Sequence, residues 1–230
     1  MCRFLLIKSR RKLKPERFLS DFALMCQKSH APDGDWQGDG WGIAIKIQKS
    51  SRSNRDKNQN WEVYKSLNPI WKDQKQFSYF SEANLFVVHA RSAGFPQHKG
   101  NLGYNQPYVA GSVCFVFNGM LHGVRLPGPV EGEIGAQKVF SLLRRELKNN
   151  TGEDALRILD KTLLAHSQKI EGMNIGLIKD NKISILCEYA DNASYFSLFY
   201  SSNTGLTLVC SERLGNYQWK TMKKSEVRTL

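Results

Sequence analysis

The chain has 230 residues, of which 41% are hydrophobic, 11% aromatic and 23% charged, and its 33 lysines and arginines against 21 acids leave a formal net charge of +12. That apolar supply excludes a disordered chain, and layered folds reach this length as one unit, so residues 1–230 are read as a single domain with a sizeable core. The longest apolar runs are four or five residues, such as Phe4–Ile7 and Val113–Phe117, far short of the roughly 20 residues of a spanning helix, so no membrane segment is predicted.

At the amino end the apolar run precedes the basic Lys8-Ser9-Arg10-Arg11-Lys12, the reverse of a secretory signal, and a cytoplasmic location is expected. Five cysteines, at positions 2, 26, 114, 187 and 210, are an odd number without a CxxC pair, which argues against a disulfide framework and against a zinc site. Positive charge gathers in residues 3–17, 46–57 and 213–228. Such a field attracts phosphates or an acidic protein, but no nucleic-acid motif accompanies it, and a solvated basic surface is the plainer reading.

In chain order, Phe4–Ile7 reads as a strand, and Pro15 opens a helix through Lys28 with Phe18, Phe22 and Met25 at helical spacing. A turn over 31–35 leads to a strand over Gly40–Ile47, and the polar stretch 49–60 reads as the long, mobile tip of a hairpin returning along Trp61–Lys65. Leu85–His89 and Ser112–Phe117 are β-rich runs on either side of a loop rich in Gly, Pro and Asn. Helical spacing marks Glu133–Leu147 and Glu153–Ile170, with a break at 149–152. Strands follow at Met173–Ile178, Ile183–Tyr189, Tyr195–Tyr200 and Leu206–Cys210, the first two joined by a hairpin turn at 179–182. Strands at both ends enclosing a helical pair predict an α+β fold of two antiparallel sheets between helical layers.

The candidate nucleophile is Cys2. If Met1 is removed, thiol and α-amine share one residue, and an amine of pKa about 7.7–8.0 takes the thiol proton, so that nucleophile and base coincide. The bland alternative keeps Met1 and makes Cys2 an ordinary strand residue. Behind Met1-Cys2-Arg3 come Gln37-Gly38-Asp39-Gly40-Trp41-Gly42, Val88-His89-Ala90-Arg91-Ser92 and Phe117-Asn118-Gly119-Met120, together with Lys65-Ser66-Leu67-Asn68-Pro69, Asn105-Gln106-Pro107-Tyr108 and Cys210-Ser211-Glu212. In this shared order the segments resemble the class-II glutamine amidotransferases, particularly the small stand-alone ones, within the N-terminal-nucleophile hydrolase superfamily.

The resemblance implies a four-layer αββα sandwich and a cysteine that attacks the side-chain amide of glutamine, forming a γ-glutamyl thioester and releasing ammonia. It places the nucleophile at Cys2 and the oxyanion donors at the Asn118 side chain and the Gly119 amide. It places the grip on the substrate carboxylate at Arg91, where a planar guanidinium meets both oxygens. Their plainer readings are a hairpin turn for Asn-Gly and a strand-end salt bridge for Arg91. His89 shares a face with Arg91 by alternation and is expected to pack and hydrogen bond. The Asp39–Gly42 segment is expected to shape the wall beside Cys2, its glycines permitting close backbone approach.

The pattern departs from the family at Gly94, where a threonine is usual, at Phe117, where histidine is frequent, and at Ala136, where an aspartate holds the substrate ammonium. Glu133 is the replacement assigned to that ammonium, with Glu131 also near. No cofactor and no metal are expected. The substrate is glutamine or a related γ-glutamyl amide, and any ammonia acceptor sits on a separate enzyme. The alternatives are a hydrolase of another γ-glutamyl or carboxamide compound and a catalytically silent basic binding protein.

Overall fold

The computed structural model describes residues 1–31, 34–47, 61–126 and 128–230. The middle of the turn expected over 31–35, most of the basic stretch 46–57 and the whole hairpin tip 49–60 lie outside the described residues. In chain order the elements are β1 (Arg3–Leu13), α1 (Glu16–Lys28), β2 (Trp41–Lys46), β3 (Trp61–Ser66), β4 (Ala83–Ala90), β5 (Tyr108–Ala110), β6 (Val113–His122), α2 (Gly135–Glu146), α3 (Gly152–His166), β7 (Lys169–Lys179), β8 (Lys182–Cys187), α4 (Ala193–Phe196), β9 (Phe199–Ser202), β10 (Leu206–Cys210), β11 (Lys220–Thr221) and β12 (Glu226–Thr229). Among these, no helix is long and apolar enough to cross a membrane.

Two antiparallel sheets form the centre, one ordered β11-β9-β10-β1-β4-β2-β3 and the other β12-β8-β7-β6-β5. Alternation sorts their side chains into three cores. Along β1, Leu5 and Ile7 pack outward with Phe18, Leu19 and Phe22 of α1. Phe4 and Leu6 point the other way, into the layer where Leu85 and Val87 of β4 meet Cys114 and Val116 of β6. On the far face, Phe115 and Phe117 of β6 pack with Val139 and Leu143 of α2 and Leu159 and Leu163 of α3. The result is the αββα sandwich, and β1 reads as a continuous apolar run because both of its faces are covered.

Local chemistry explains the junctions. Thr151 caps α3 by accepting the Asp154 amide at 3.2 Å. The Gln137 Oε1 reaches back to accept the amides of Glu133 at 2.8 Å and Ile134 at 3.2 Å, so α2 begins at Gly135 rather than at Glu133. Asp180 and Asn181, at φ of 51° and 59°, make the left-handed pair expected for the turn between β7 and β8.

Three expectations are corrected. Residues 195–200 are not one strand: α4 holds Tyr195 and Phe196, whose rings pack on each other, and β9 starts only at Phe199. The helix expected to reach Ile170 ends at His166, because β7 begins at Lys169 to pair with His122. Asn118-Gly119 is no turn but lies inside β6, paired with Asn174 and Met173 of β7. At Gly119 a Cβ would come to 1.9 Å from the Gly172 carbonyl, so close strand approach requires the glycine there.

Gly176 sits between the sheets, where an added Cβ would lie 2.7 Å from Leu6 Cδ1 and 2.8 Å from Val116 Cγ2. Gly176→Ala is therefore expected to overpack this layer and cost about 1–3 kcal/mol, measured as a lower urea midpoint. An unchanged midpoint would mean that the layer has slack.

Candidate active site

Alternation that sends Phe4 and Leu6 between the sheets places Cys2 on the same side, at one end of that layer, and Asn118 follows Val116 to the same face of β6. The two meet: the Cys2 backbone N–H donates to Asn118 Oδ1 at 3.0 Å. The Cys2 thiol donates to the Ser92 carbonyl at 3.6 Å. Burial pushes the thiol pKa up, the positive N-terminus and Arg91 oppose that rise, and Asp35 adds to it. At rest the thiol is thus protonated and needs a base.

Met1 is held beside it. Its ammonium lies 3.3 Å from Asp35, which also accepts from the Ser92 hydroxyl, and its carbonyl accepts from Gln37 at 3.1 Å and from the Tyr195 hydroxyl at 3.2 Å.

The register of the start of β1 is secured by the neighbouring Arg3, whose guanidinium donates to the carbonyls of Tyr195 at 2.8 Å and Ser211 at 3.0 Å and to Ser29 Oγ at 2.8 Å. It lies 3.7 Å over the Tyr195 ring and pairs with Glu212 at 3.3 Å.

Arg91 follows β4 and is almost fully buried. Its backbone is pinned on both sides by the glycine-rich segment: the amide donates to the Gly40 carbonyl at 2.8 Å and the carbonyl accepts from Asp39 at 3.0 Å. Asp39 then accepts the Ala93 amide at 2.8 Å. At Gly40 and Gly42, added Cβ atoms would strike Asn105 and the Gln106 carbonyl, at 2.2 and 2.5 Å, so the segment makes the expected close approach, but none of Asp39–Gly42 lines the cavity beside Cys2. Among the described residues the strand-end salt bridge considered for Arg91 is not formed: Nη2 donates to the His98 carbonyl at 2.8 Å, and Nη1 meets no partner there.

Asn118 is fully buried, and with its Oδ1 taken by Cys2 its Nδ2 is left without a partner among the described residues. Gln106 clamps the residue before it. The Phe117 amide donates to Gln106 Oε1 at 2.6 Å and the Phe117 carbonyl accepts from Gln106 Nε2 at 3.2 Å, so a loop side chain acts as a strand partner. The sequence carries no signal for this role beyond the segment Asn105–Tyr108. His89 Nε2 reaches the same carbonyl at 3.2 Å.

A cavity of about 460 Å³ opens at Cys2. Arg91, His98, Tyr104 and Gly119 line it, and so does the start of α2 through Gly135, Ala136 and Lys138. Asn118 stands behind this wall. Glu133 does not line the cavity; it is exposed at the rim, where its hydrogen bond to the Tyr104 hydroxyl raises that phenol's pKa. Glu131 faces away, 3.5 Å from Arg144. Gly94 and Ala136 both line the cavity, and no aspartate or glutamate does so among the described residues. No cluster of His, Cys, Asp and Glu suited to a metal ion occurs among the described residues.

No protein-family model matches the sequence, and a search of curated protein sequences finds no match. The fold does have relatives among solved structures. A glutamine aminotransferase class-II domain protein from Silicibacter pomeroyi superimposes with a TM-score of 0.61 at 14% identity, over 99% of this chain and 94% of that one. A predicted glutamine amidotransferase from Pseudomonas aeruginosa PA01 gives 0.55 at 15% identity, over 99% and 96%. The glutamine phosphoribosylpyrophosphate amidotransferase of B. subtilis gives 0.60 at 11% identity, and this chain spans 49% of its length. The chain shares the fold of these glutamine amidotransferase structures.

His89, buried behind the site, has a pKa shift with a defined sign. Burial drives the His89 pKa from 6.5 to about 3, and Arg91 and Lys65 reinforce the drop against the Phe117 carbonyl. Between those values the unfolded chain binds the proton and the folded one does not, so stability is lost as pH falls from 6.5 towards 3. Urea melts at pH 7, 6, 5 and 4 are expected to show His89→Gln losing stability less steeply than wild type, by up to about 1.4 kcal/mol per pH unit. Parallel slopes would assign the charge balance elsewhere.

Proposed function

We propose that the protein is an amidohydrolase of the N-terminal-cysteine type, acting on glutamine or a related γ-glutamyl amide and passing ammonia to water or to a separate acceptor enzyme. One observation carries the reading: Cys2 opens on a cavity with its backbone nitrogen held by Asn118, and that cavity is lined by Arg91, whose Nη1 meets no hydrogen-bond partner among the described residues. The second reading, a carboxamide substrate other than free glutamine, is favoured by the absence of a lining acid among the described residues. We also read residues 1–230 as one domain working in the cytoplasm, where the thiol stays reduced.

The proposed chemistry needs Met1 removed, which puts the α-amine on Cys2 itself, where Asn118 Oδ1 already accepts from the nitrogen. The amine takes the thiol proton, Sγ attacks the amide carbon, and the oxyanion is met by the unpaired Asn118 Nδ2 and the Gly119 amide. The C–N bond then breaks as ammonia takes the proton from the amine, and water hydrolyses the thioester and restores the thiol. Arg91 holds a substrate carboxylate through both of its terminal nitrogens.

Intact mass of protein from its own cells is expected to show loss of Met1, and Cys2→Ala is expected to abolish ammonia release with an unchanged melting curve. Retention of Met1 in all molecules would sink the mechanism. Asn118→Ala is expected to lower kcat by about 10²- to 10³-fold, whereas Arg91→Lys mainly raises KM, because only the first contact strengthens in the transition state. Steady-state kinetics of the two variants separates these roles. The same loss in both parameters for both variants would place the residues in structure rather than in catalysis.

A further inference from the structure

The cavity has two chemically different ends. Cys2, Arg91, His98 and Tyr104 make the polar end. The far wall is Phe117, Leu121, Ile134, Ala136, Val139 and Leu163, continuous with the core between the second sheet and its helices. All three departures from the family pattern, Gly94, Phe117 and Ala136, fall on this lining, and all favour apolar contact. At Gly94 a Cβ would come to 2.5 Å from Met120 Cε, so the methionine side chain fills the place of a side chain there. Ala136 presents a methyl group at the start of α2.

Charge points the same way. The titratable side chains on the lining are Cys2, Arg91, His98, Tyr104 and Lys138, with no carboxylate among the described residues, and the N-terminal end of α2 adds partial positive charge. A substrate carboxylate is welcome there, but a free α-ammonium meets no carboxylate on the lining among the described residues, Glu133 being held on the rim by the Tyr104 hydroxyl, and faces like charge. A volume of about 460 Å³ is also more than free glutamine fills.

We infer that the substrate is a glutamine-type amide with a free α-carboxylate and an α-amine capped by a hydrophobic acyl group, the acyl chain lying along the apolar wall. The inference rests on the reading of Cys2 as an amide-cleaving nucleophile. The products are the N-acylglutamate and ammonia: C–S forms as C–N breaks, the thiol proton leaves with ammonia, and water splits the thioester.

Calorimetric titration of Cys2→Ala with N-octanoyl-L-glutamine and with L-glutamine reads binding without turnover, and ammonia release by mature wild type reads hydrolysis. N-octanoylglutamine is expected to bind at least about tenfold more tightly than glutamine. Adding Ala136→Asp to this background should erase that preference. Adding Ile134→Trp, which narrows the cavity while keeping an apolar side chain, should weaken the acylated ligand about tenfold and serves if the first variant fails to fold. Equal or tighter binding of glutamine overturns the inference, and ammonia release from glutamine by wild type would then leave the Cys2 reading standing. Release of octanoate instead of ammonia overturns it as well, because the acyl amide would then lie at Cys2. Tighter binding of the acylated compound with no hydrolysis of either upholds the inferred specificity and overturns the amidohydrolase reading instead.

Discussion

The site depends on the way β1 is held at its first residue. Alternation forces Arg3 and Cys2 to opposite faces, and Arg3 is gripped by Ser29, by the Tyr195 and Ser211 carbonyls and by the Tyr195 ring, so the face left for Cys2 is the one between the sheets. A one-residue slip would bury the thiol against α1 and aim the guanidinium at Asn118. The Phe4 amide reinforces the register by donating to Ser211 Oγ at 2.9 Å. A chain terminus ordinarily frays, and here a charged side chain with several buried acceptors prevents it.

Much of the fold was legible because its signals are local. Phe4–Ile7, Leu85–His89 and Val113–Phe117 are strands buried on both faces, and α2 and α3 show their apolar spacing directly. What escaped was set by partners distant in sequence. β1 continues through Lys8–Leu13 although that stretch is basic, because backbone pairing with β10 as far as Ser9 and with β4 at Ala83 asks nothing of side-chain polarity. The strand β12 has Val227 as its sole buried residue, too little for a pattern to register. Tyr195 and Phe196 have strand-like composition, yet α4 places Tyr195 over Arg3 and Phe196 against Gly172, and tertiary contact overrides propensity.

The site shows the same division. Cys2, Arg91 and Asn118 come from three different strands or strand ends, and no spacing rule brings them together; their common order in the sequence did so through resemblance, and strand parity explains why they converge. Asn118-Gly119 carries the strongest local turn signal in the chain and is nevertheless paired strand, because Gly172 across the ladder leaves no room for a side chain at 119. Gln106 was invisible as a structural element: a glutamine in a loop offers nothing to distinguish a solvated amide from one that clamps both backbone groups of Phe117. Glu133 was close enough in sequence to suggest a role on the substrate, but the Gln137 cap that starts α2 leaves it on the rim with Tyr104.

The electrostatics of the cavity connect fold to chemistry. Folded chains satisfy nearly every buried donor, so an unpaired Arg91 Nη1 and an unpaired Asn118 Nδ2 at one site are costs that packing elsewhere must offset. Both are donors, and both belong to residues flanking a thiol that burial keeps protonated at rest. Donors without acceptors await negative charge, which an amide substrate brings twice: a carboxylate present on binding and an oxyanion formed during attack. The first can be held before reaction and the second only during it, so under the proposed function Arg91 on the cavity wall serves binding and Asn118 behind it serves catalysis. The apolar end of the cavity, with no lining acid among the described residues to balance Arg91 and Lys138, fits the inferred substrate, whose remaining part is something that water rejects.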